Sequence, residues 1–218
     1  MTTSQQMLTS RRTPNNPRLI LGSSSPYRKE LLSRLRIPFE VLIPDIDETA
    51  LFGENPETTA MRLAQAKAQA IAAIAPDALI IASDQVATLD GEQIGKPGNH
   101  ANALLQLQKM RGRRVVFHTA LCLWDGRKNA KGHAKEHVIQ LENIQTFVTF
   151  RDLPDAELDA YLRIEQPYDC AGSAKNEGLG ITILSNIEST DPTALTGLPL
   201  ITLTSMLRHA GVPFFTQF

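Results

Sequence analysis

An aspartate within an apolar strand pattern is the residue of this sequence that most clearly requires a chemical partner. Asp84 lies in the run 79–86, whose other members predict a buried strand. A buried carboxylate is disfavoured by desolvation unless it holds a metal ion, a cation or a proton. Asp84 is therefore a candidate catalytic and metal-binding acid. The structural alternative is an acid at a strand edge that caps a neighbouring loop.

Lys67 and Lys96 are the candidate cations for this acid. Lys67 falls at the centre of an apolar stripe on a predicted helix, where a lysine is costly unless it meets an anion or extends past small residues to solvent. The other members of the stripe are Ala60, Ala64, Leu63, Ile71 and Ile74. A tight turn at Asp90-Gly91 would set Lys96 opposite Gln85, beside Asp84. Strand alternation turns Lys96 to the other face unless Gly95 carries a bulge, and the sequence leaves this open.

A hydroxyl-rich turn follows the first predicted strand. Ser23, Ser24 and Ser25 precede Pro26 and a helical pattern that contains Arg28. Free N–H groups at a helix N-terminus bind anions, and a guanidinium can close over a phosphate. Alternatively, the serines only cap the helix and Arg28 is solvated.

Taken together, these groups favour polyphosphate chemistry. Cations neutralise phosphate charge, while carboxylates such as Asp84 and those of the acidic loop 45–48 can hold a divalent ion that polarises a phosphoryl oxygen. We therefore expect a divalent metal cofactor, Mg²⁺, Mn²⁺ or a similar ion.

The elements that must position these residues form a mixed α/β pattern. Strands and helices alternate early, and the middle of the chain is hairpin-like, so we predict a mixed β-sheet flanked by helices. The predicted strands cover residues 18–22, 39–43, 78–89, 92–96, 113–124 and 137–150, and the predicted helices cover residues 27–35, 56–75, 99–110, 199–210 and a segment after Pro154. Residues 1–17 are expected to be a disordered polar tail, and residues 211–218 a C-terminal tail.

Composition excludes some partners. The 218 residues include 22 Lys and Arg and 23 Asp and Glu, for a net charge of -1, so we expect no nucleic-acid binding. No apolar run reaches the roughly 18 residues that span a bilayer, so we expect no membrane insertion. Cys122 and Cys170 lie among apolar or small neighbours and predict two buried free thiols in a reducing compartment, the cytoplasm.

Several motifs in order along the chain resemble the Maf family. The segment Ser23-Ser24-Ser25-Pro26-Tyr27-Arg28 with Leu31-Leu32 resembles the family's opening S-x-S-P-x-R-x-x-L-L. The later matches are Asp47-Glu48, Lys67-Ala68, Ser83-Asp84-Gln85-Val86, Gly95-Lys96-Pro97, Gly172-Ser173 and Gly197-Leu198-Pro199.

The resemblance covers about residues 18–210 and implies a single catalytic domain of Maf/ITPase-like fold. It implies a bent sheet, two lobes with a central cleft, a homodimer, and metal-dependent hydrolysis of nucleoside triphosphates. Asp84 resembles the general base, which acts with the catalytic cations Arg28, Lys67 and Lys96. Ser23 and Ser25 resemble substrate-binding residues, and Glu48 joins Asp84 as a metal ligand.

Within the family, Asp84-Gln85, the aromatic Tyr27 and the segment 175–178 resemble the 7-methyl-GTP branch, which implies a role in housecleaning of nucleotide pools. A 7-methylguanine ring is positively charged and stacks on an aromatic face, and its N–H donors suit the Glu177 carboxylate. The resemblance adds Gln85 as a substrate-binding residue. The branch often has Trp where this chain has Tyr27, and Tyr stacks more weakly than Trp.

Other interpretations remain open. Tyr27 can be a helix-surface aromatic and Glu177 a solvated loop residue. Asp-Thr, in place of Asp84-Gln85, marks a dTTP/UTP branch, and such an enzyme is the first alternative. The second is a non-catalytic nucleotide-binding regulator of cell division.

Overall fold

The computed structural model describes residues 17–127 and 137–215. Most of the tail predicted for residues 1–17 lies outside the described residues. The same holds for residues 128–136, in the predicted polar loop, and for the last three positions of the C-terminal tail.

The described residues form seven strands and five α-helices, with two short 3₁₀ helices at Ala171–Ser173 and Leu179–Ile183. The strands are β1 (Leu19–Gly22), β2 (Glu40–Leu42), β3 (Leu79–Leu89), β4 (Glu92–Ile94), β5 (Arg114–Asp125), β6 (Val138–Phe150) and β7 (Leu184–Ser189). The helices are α1 (Pro26–Ser33), α2 (Pro56–Ile74), α3 (His100–Met110), α4 (Asp155–Glu165) and α5 (Leu200–His209).

All seven strands join one mixed sheet, which confirms the predicted α/β class. The strand order is β2-β1-β3-β5-β6-β7, and β4 pairs with β3. β1 runs parallel to β2 and β3, whereas the pairs from β3 through β7 are antiparallel. The bend of the sheet and the division into two lobes stay predictions.

One edge of β3 has a gap between its two neighbours. β1 pairs with β3 up to Ala82, and β4 pairs with it from Ala87. Residues 83–86 therefore pair only with β5, on the opposite edge of β3. The chain leaves β1 at its carboxyl end, where a parallel sheet commonly opens a ligand crevice. Asp84 lies within this gap.

Helix α2 covers one face of the sheet through its alanines. Ala60, Ala64 and Ala68 are completely buried, and these small side chains let the helix lie close to the strands. Asn55 caps the helix by accepting a hydrogen bond from the Thr58 N–H, with Pro56 in the first turn. The prediction that Ile74 belongs to the buried stripe is wrong, since Ile74 is 69% exposed. Near the end of the helix, Ala72 and Ala75 are the buried residues instead.

Strand β7 and the end of β4 differ from the sequence prediction. Only the first of the six residues of β7 is buried, so it lacks the alternation that marks a half-buried strand. β4 ends at Ile94, two residues earlier than predicted, although Asp90 and Gly91 form the expected turn with positive φ angles of 51° and 83°. Within the described ranges, no helix has the length and apolarity to cross a membrane.

Candidate active site

Asp84 and Lys67 form a buried ion pair in the β3 gap. The Lys67 Nζ donates to Asp84 Oδ1 at 2.6 Å and lies 2.8 Å from Glu48 Oε1. The side chains of Lys67 and Asp84 are only 7% and 9% exposed. Helix α2 thus places Lys67, its one buried cation, against Asp84 of β3. The carboxylate of Asp84 is the anion that we expected a lysine at this buried position to meet.

For both Asp84 and Glu48, burial raises the pKa of the carboxyl group and the neighbouring positive charges lower it. Burial raises the pKa of Asp84, and the charges of Lys67 and Arg28 offset only part of that rise. Burial also raises the pKa of Glu48, but the hydrogen bond from Lys67 and the charges of Lys67, Lys96 and Arg28 outweigh it, so the pKa is lowered overall. Asp84 is therefore the better proton acceptor of the pair.

The serine turn between β1 and α1 has both a capping and a lining role. Ser25 Oγ accepts from the Arg28 N–H at 3.3 Å, as expected for an N-cap, and Ser25 also lines the cleft. Ser23 is buried behind the turn, where its Oγ accepts from the Ser25 N–H at 3.1 Å. A direct contact between Ser23 and a substrate stays a prediction.

Arg28 is oriented by a residue from the far end of the sequence. Its Nε donates to the Gly197 carbonyl at 2.9 Å, and among residues 17–127 and 137–215 the two terminal nitrogens of the guanidinium have no hydrogen-bond partner, so they can bind a ligand. Gly197 has a φ of +106°, and a Cβ there would lie 3.2 Å from the Arg28 Nε. Only glycine combines this backbone angle with so close an approach. Burial lowers the pKa of Arg28 against the opposing charges of Asp84 and Glu48.

The loop that carries Gly197 is hydrogen-bonded to side chains of β3. Ser83 Oγ lies 2.9 Å from the Gly197 carbonyl. Gln85 Nε2 lies 3.1 Å from the carbonyl of Ala194 and 3.0 Å from that of Leu195. The amide nitrogen of Gln85 thus holds the loop, although Gln85 also lines the cleft. Its predicted contact with substrate stays a prediction.

Asp191 fixes the other end of this loop. Its side chain is almost completely buried, and Oδ2 accepts from the N–H groups of Ile201 and Thr202 at 2.8 and 3.1 Å. A carboxylate at these free N–H groups stabilises the start of α5. Sequence reasoning missed this residue because it lies ten positions before the groups it caps.

Lys96 lines the same cleft as Asp84. It lies two residues beyond the end of β4, so strand alternation no longer dictates where its side chain points. Its charge contributes to the lowered pKa of Glu48. Lys96 therefore shares the cleft with the Asp84–Lys67 pair, and a direct contact between Lys96 and Asp84 stays a prediction.

A further wall of the cleft contains an aromatic ring and an exposed acid. Tyr27 is partly buried, and the Lys175 Nζ lies 5.6 Å from the centre of its ring. Glu177 lines this wall, and partial desolvation raises the pKa of its carboxyl group.

Cys170 also lines the cleft and is only partly buried, which corrects the prediction of two buried thiols. Cys122 is buried, and both cysteines are free. Burial raises the pKa of Cys170 to about 12, so its thiol stays protonated.

These walls enclose a cleft of about 410 Å³, within the range of small-molecule sites. Lys67 pairs with Asp84, and the ring of Tyr27 lies near the Lys175 ammonium group. We call the region of Arg28, Lys67 and Asp84 the phosphate end and the region of Tyr27, Lys175 and Glu177 the base end, after the groups that the family resemblance predicts them to bind.

The donor set fits a divalent ion that takes few protein ligands. In the described part of the chain, no three His, Cys, Asp or Glu side chains cluster as a metal site. Asp84 and Glu48 converge on one ammonium group, and the contacts to Lys67 use one oxygen of each carboxylate. Mg²⁺ commonly binds through one or two carboxylates and completes its shell with water and substrate phosphates.

The fold and this cleft define an α/β protein whose site suits a phosphorylated small molecule. The chain belongs to the Maf family, since the family model for Maf-like protein matches residues 18–210. This confirms the resemblance drawn from the motifs.

Several relatives are named 7-methyl-GTP pyrophosphatase. The protein of that name from Cupriavidus metallidurans is 69% identical over 199 residues, which cover 91% of this chain and 96% of the relative. The protein of that name from Ralstonia nicotianae is 61% identical, with 91% and 98% covered. Among solved structures, the nucleoside-triphosphatase / dITP/XTP pyrophosphatase from Mycobacterium abscessus aligns with a TM-score of 0.39 and 16% identity, covering 89% of this chain and 97% of that one.

Proposed function

We propose that this protein is a nucleoside triphosphate pyrophosphatase that hydrolyses 7-methyl-GTP to 7-methyl-GMP and pyrophosphate. The observation that carries the proposal is the Asp84–Lys67 pair, at 2.6 Å, in the gap of the central strand. The names of relatives at 61–69% identity support the substrate.

In this mechanism, Asp84 accepts a proton from a water molecule that attacks the α-phosphorus. A bond forms between the water oxygen and the α-phosphorus, and the bond to the bridging oxygen of the β-phosphate breaks, which releases pyrophosphate. The raised pKa of Asp84 makes it a stronger base than an ordinary aspartate.

The cations of the phosphate end act on the charge that develops on the phosphates. Lys67 and Lys96 supply ammonium groups, while Arg28 offers the two guanidinium nitrogens that Gly197 leaves free. Fixed positive groups stabilise the transition state because they need no rearrangement during the reaction. A divalent ion held by Asp84 and Glu48 would polarise a phosphoryl oxygen.

The base end supports a preference for a cationic purine. A positively charged ring stacks favourably on Tyr27, and the Glu177 carboxylate accepts hydrogen bonds from the N–H groups of guanine. Both side chains line the same cleft.

The test is pyrophosphate release by the purified protein with Mg²⁺ or Mn²⁺ and a nucleotide panel. The panel contains 7-methyl-GTP, GTP, ATP, dTTP and UTP, and single phosphate release is measured alongside. We expect 7-methyl-GTP to give the highest kcat/KM and pyrophosphate to be the product. A preference for dTTP and UTP would reassign the substrate, and binding without any hydrolysis would support a regulator instead.

We further propose a homodimer in the cytoplasm that depends on a divalent metal and does not bind nucleic acid. The family resemblance supports the dimer and the metal, and the two free cysteines suit a reducing compartment. Light scattering after gel filtration, with and without a chelator, tests the dimer; a monomer under both conditions would contradict it.

A further inference from the structure

A nearly buried acid lies beneath the loop that forms the base end. Glu165 is the last residue of α4, and its side chain is 12% exposed. One carboxylate oxygen, Oε1, lies 3.2 Å from the Lys175 Nζ. The other, Oε2, accepts from the Leu179 N–H at 2.7 Å.

The loop is shaped around this carboxylate. The N–H groups of Gly178 and Gly180 both donate to the Lys175 carbonyl at 3.0 Å, which closes a tight double turn. A Cβ at Gly178 would lie 2.7 Å from Glu165 Oε2, so a side chain there would displace the carboxylate. Glu165 thus contacts the turn at Gly178 and Leu179, while Glu177 of the same turn lines the cleft.

Glu165 also determines where the charge of Lys175 is held. The hydrogen bond to Glu165 raises the pKa of Lys175 and keeps its ammonium group against the Tyr27 ring. Burial raises the pKa of Glu177, and the charge of Lys175, two residues away in the same loop, opposes that rise. An ammonium released from Glu165 would pair with Glu177 and cancel the negative charge that attracts a cationic base.

We propose that Glu165 is a positioning residue for nucleobase selection, which holds Lys175 away from Glu177 and supports the loop that carries it. The proposal rests on the proposed function, because it assigns the base of that substrate to this end of the cleft. With Glu165 ionised, the base end keeps a net negative charge that favours 7-methylguanine over guanine.

Three variants test this assignment. Glu165→Gln keeps the size of the side chain and an oxygen acceptor for the Leu179 N–H, but removes the charge that binds Lys175. The double variant Glu165→Gln with Lys175→Met also removes the competing cation. Glu157→Gln is the matched control, since Glu157 is an exposed acid in the first turn of the same helix.

The measured quantity is the ratio of kcat/KM for 7-methyl-GTP to that for GTP. We expect Glu165→Gln to lower the ratio about tenfold, the magnitude of one lost charge interaction, and to change kcat/KM for GTP by no more than about threefold. The double variant should return the ratio to within about threefold of the wild type, while the control leaves it unchanged. A purely structural role would not produce rescue by a second substitution.

An unchanged ratio in Glu165→Gln, or a double variant without rescue, overturns the proposal. Calorimetric titration with 7-methyl-GMP and GMP separates this result from failure of the proposed function. If the wild type hydrolyses no nucleotide, the function is wrong, but the binding preference still tests Glu165. A wild type that binds the two monophosphates equally would also overturn the role of Glu165.

Discussion

The two ends of the cleft are built in different ways. At the phosphate end, Lys67 comes from a helix and Asp84 from a central strand, and both side chains are nearly buried. At the base end, Glu177 is exposed and belongs to a loop that depends on one acid, Glu165. Groups that do chemistry must keep their geometry, and regular elements hold geometry better than loops. Groups that select a base can lie on a loop, where substitutions change selectivity without disturbing the chemistry.

The largest effect is expected at the phosphate end, from Asp84→Asn. The amide keeps the shape of the side chain but cannot take the proton, so turnover should fall about a thousandfold. The melting temperature should stay within a few degrees of the wild type. Near-normal pyrophosphate release by a folded Asp84→Asn protein would remove Asp84 from the mechanism.

Lys67→Met should lower turnover about a hundredfold and also destabilise the protein. Lys67 is the largest influence that lowers the pKa of Asp84, so its loss raises that pKa further. In the Lys67→Met variant, Asp84 must ionise without its cation as the pH rises through this raised pKa. The loss of unfolding free energy should therefore be larger at pH 8, about 3 kcal/mol, than at pH 5.

Urea unfolding in the presence of a chelator measures this loss at both pH values. Lys29→Met, an exposed lysine on α1, is the control and should show no pH-dependent loss. A loss for Lys67→Met that is equal at both pH values would contradict the assigned ion pair.

Gly197→Ala tests whether Arg28 is held in place by the far loop. The added Cβ would meet the Arg28 Nε, so we expect kcat/KM to fall about tenfold. Gly211→Ala is the matched control, because Gly211 also has a positive φ, +74°, but its Cβ would meet nothing within 4 Å. Both variants should lose a similar amount of stability, and only Gly197→Ala should lose activity.

A double-mutant cycle gives the sharper form of this test. In an Arg28→Ala background, Gly197→Ala should have little further effect on kcat/KM, because the guanidinium it displaces is absent. Fully additive losses would mean that Gly197 acts on activity by another route.

The smallest effect on turnover is expected at the base end, from Glu177→Gln. The preference for 7-methyl-GTP over GTP should fall about tenfold, since a charged hydrogen-bond acceptor is replaced by a neutral one. Turnover of GTP should change by no more than about threefold, in contrast to the phosphate end. Glu142→Gln, an exposed acid on β6, should leave both values unchanged, and an unchanged preference in Glu177→Gln would break the comparison.

Local patterns predicted much of the phosphate end. The apolar stripe around Lys67 and the apolar run around Asp84 each identified a buried charge, because burial of a charge is visible in the residues beside it. The turn at Asp90-Gly91 also predicted the β3–β4 register, in which Ala87 pairs with Ile94. The sequence also proposed Lys67 as a cation for Asp84, and the 2.6 Å contact between them confirms that pairing.

Contacts between distant segments could not be read from the sequence. Arg28 and Gly197 lie 169 positions apart, and nothing near either residue indicates the hydrogen bond between them. Glu165 has no apolar pattern that distinguishes it from a solvated acid at a helix end. The direction of Lys96 was open because it depends on where β4 ends, and helix and strand ends are the least predictable positions.

In the proposed mechanism, Asp84 directs a water molecule at the α-phosphorus of a nucleotide held across both ends of the cleft. Hydrolysis of 7-methyl-GTP in ¹⁸O-labelled water, followed by mass spectrometry of both products, tests it most directly. We expect one labelled oxygen in 7-methyl-GMP and none in pyrophosphate. Label in pyrophosphate, or release of single phosphate, would contradict it.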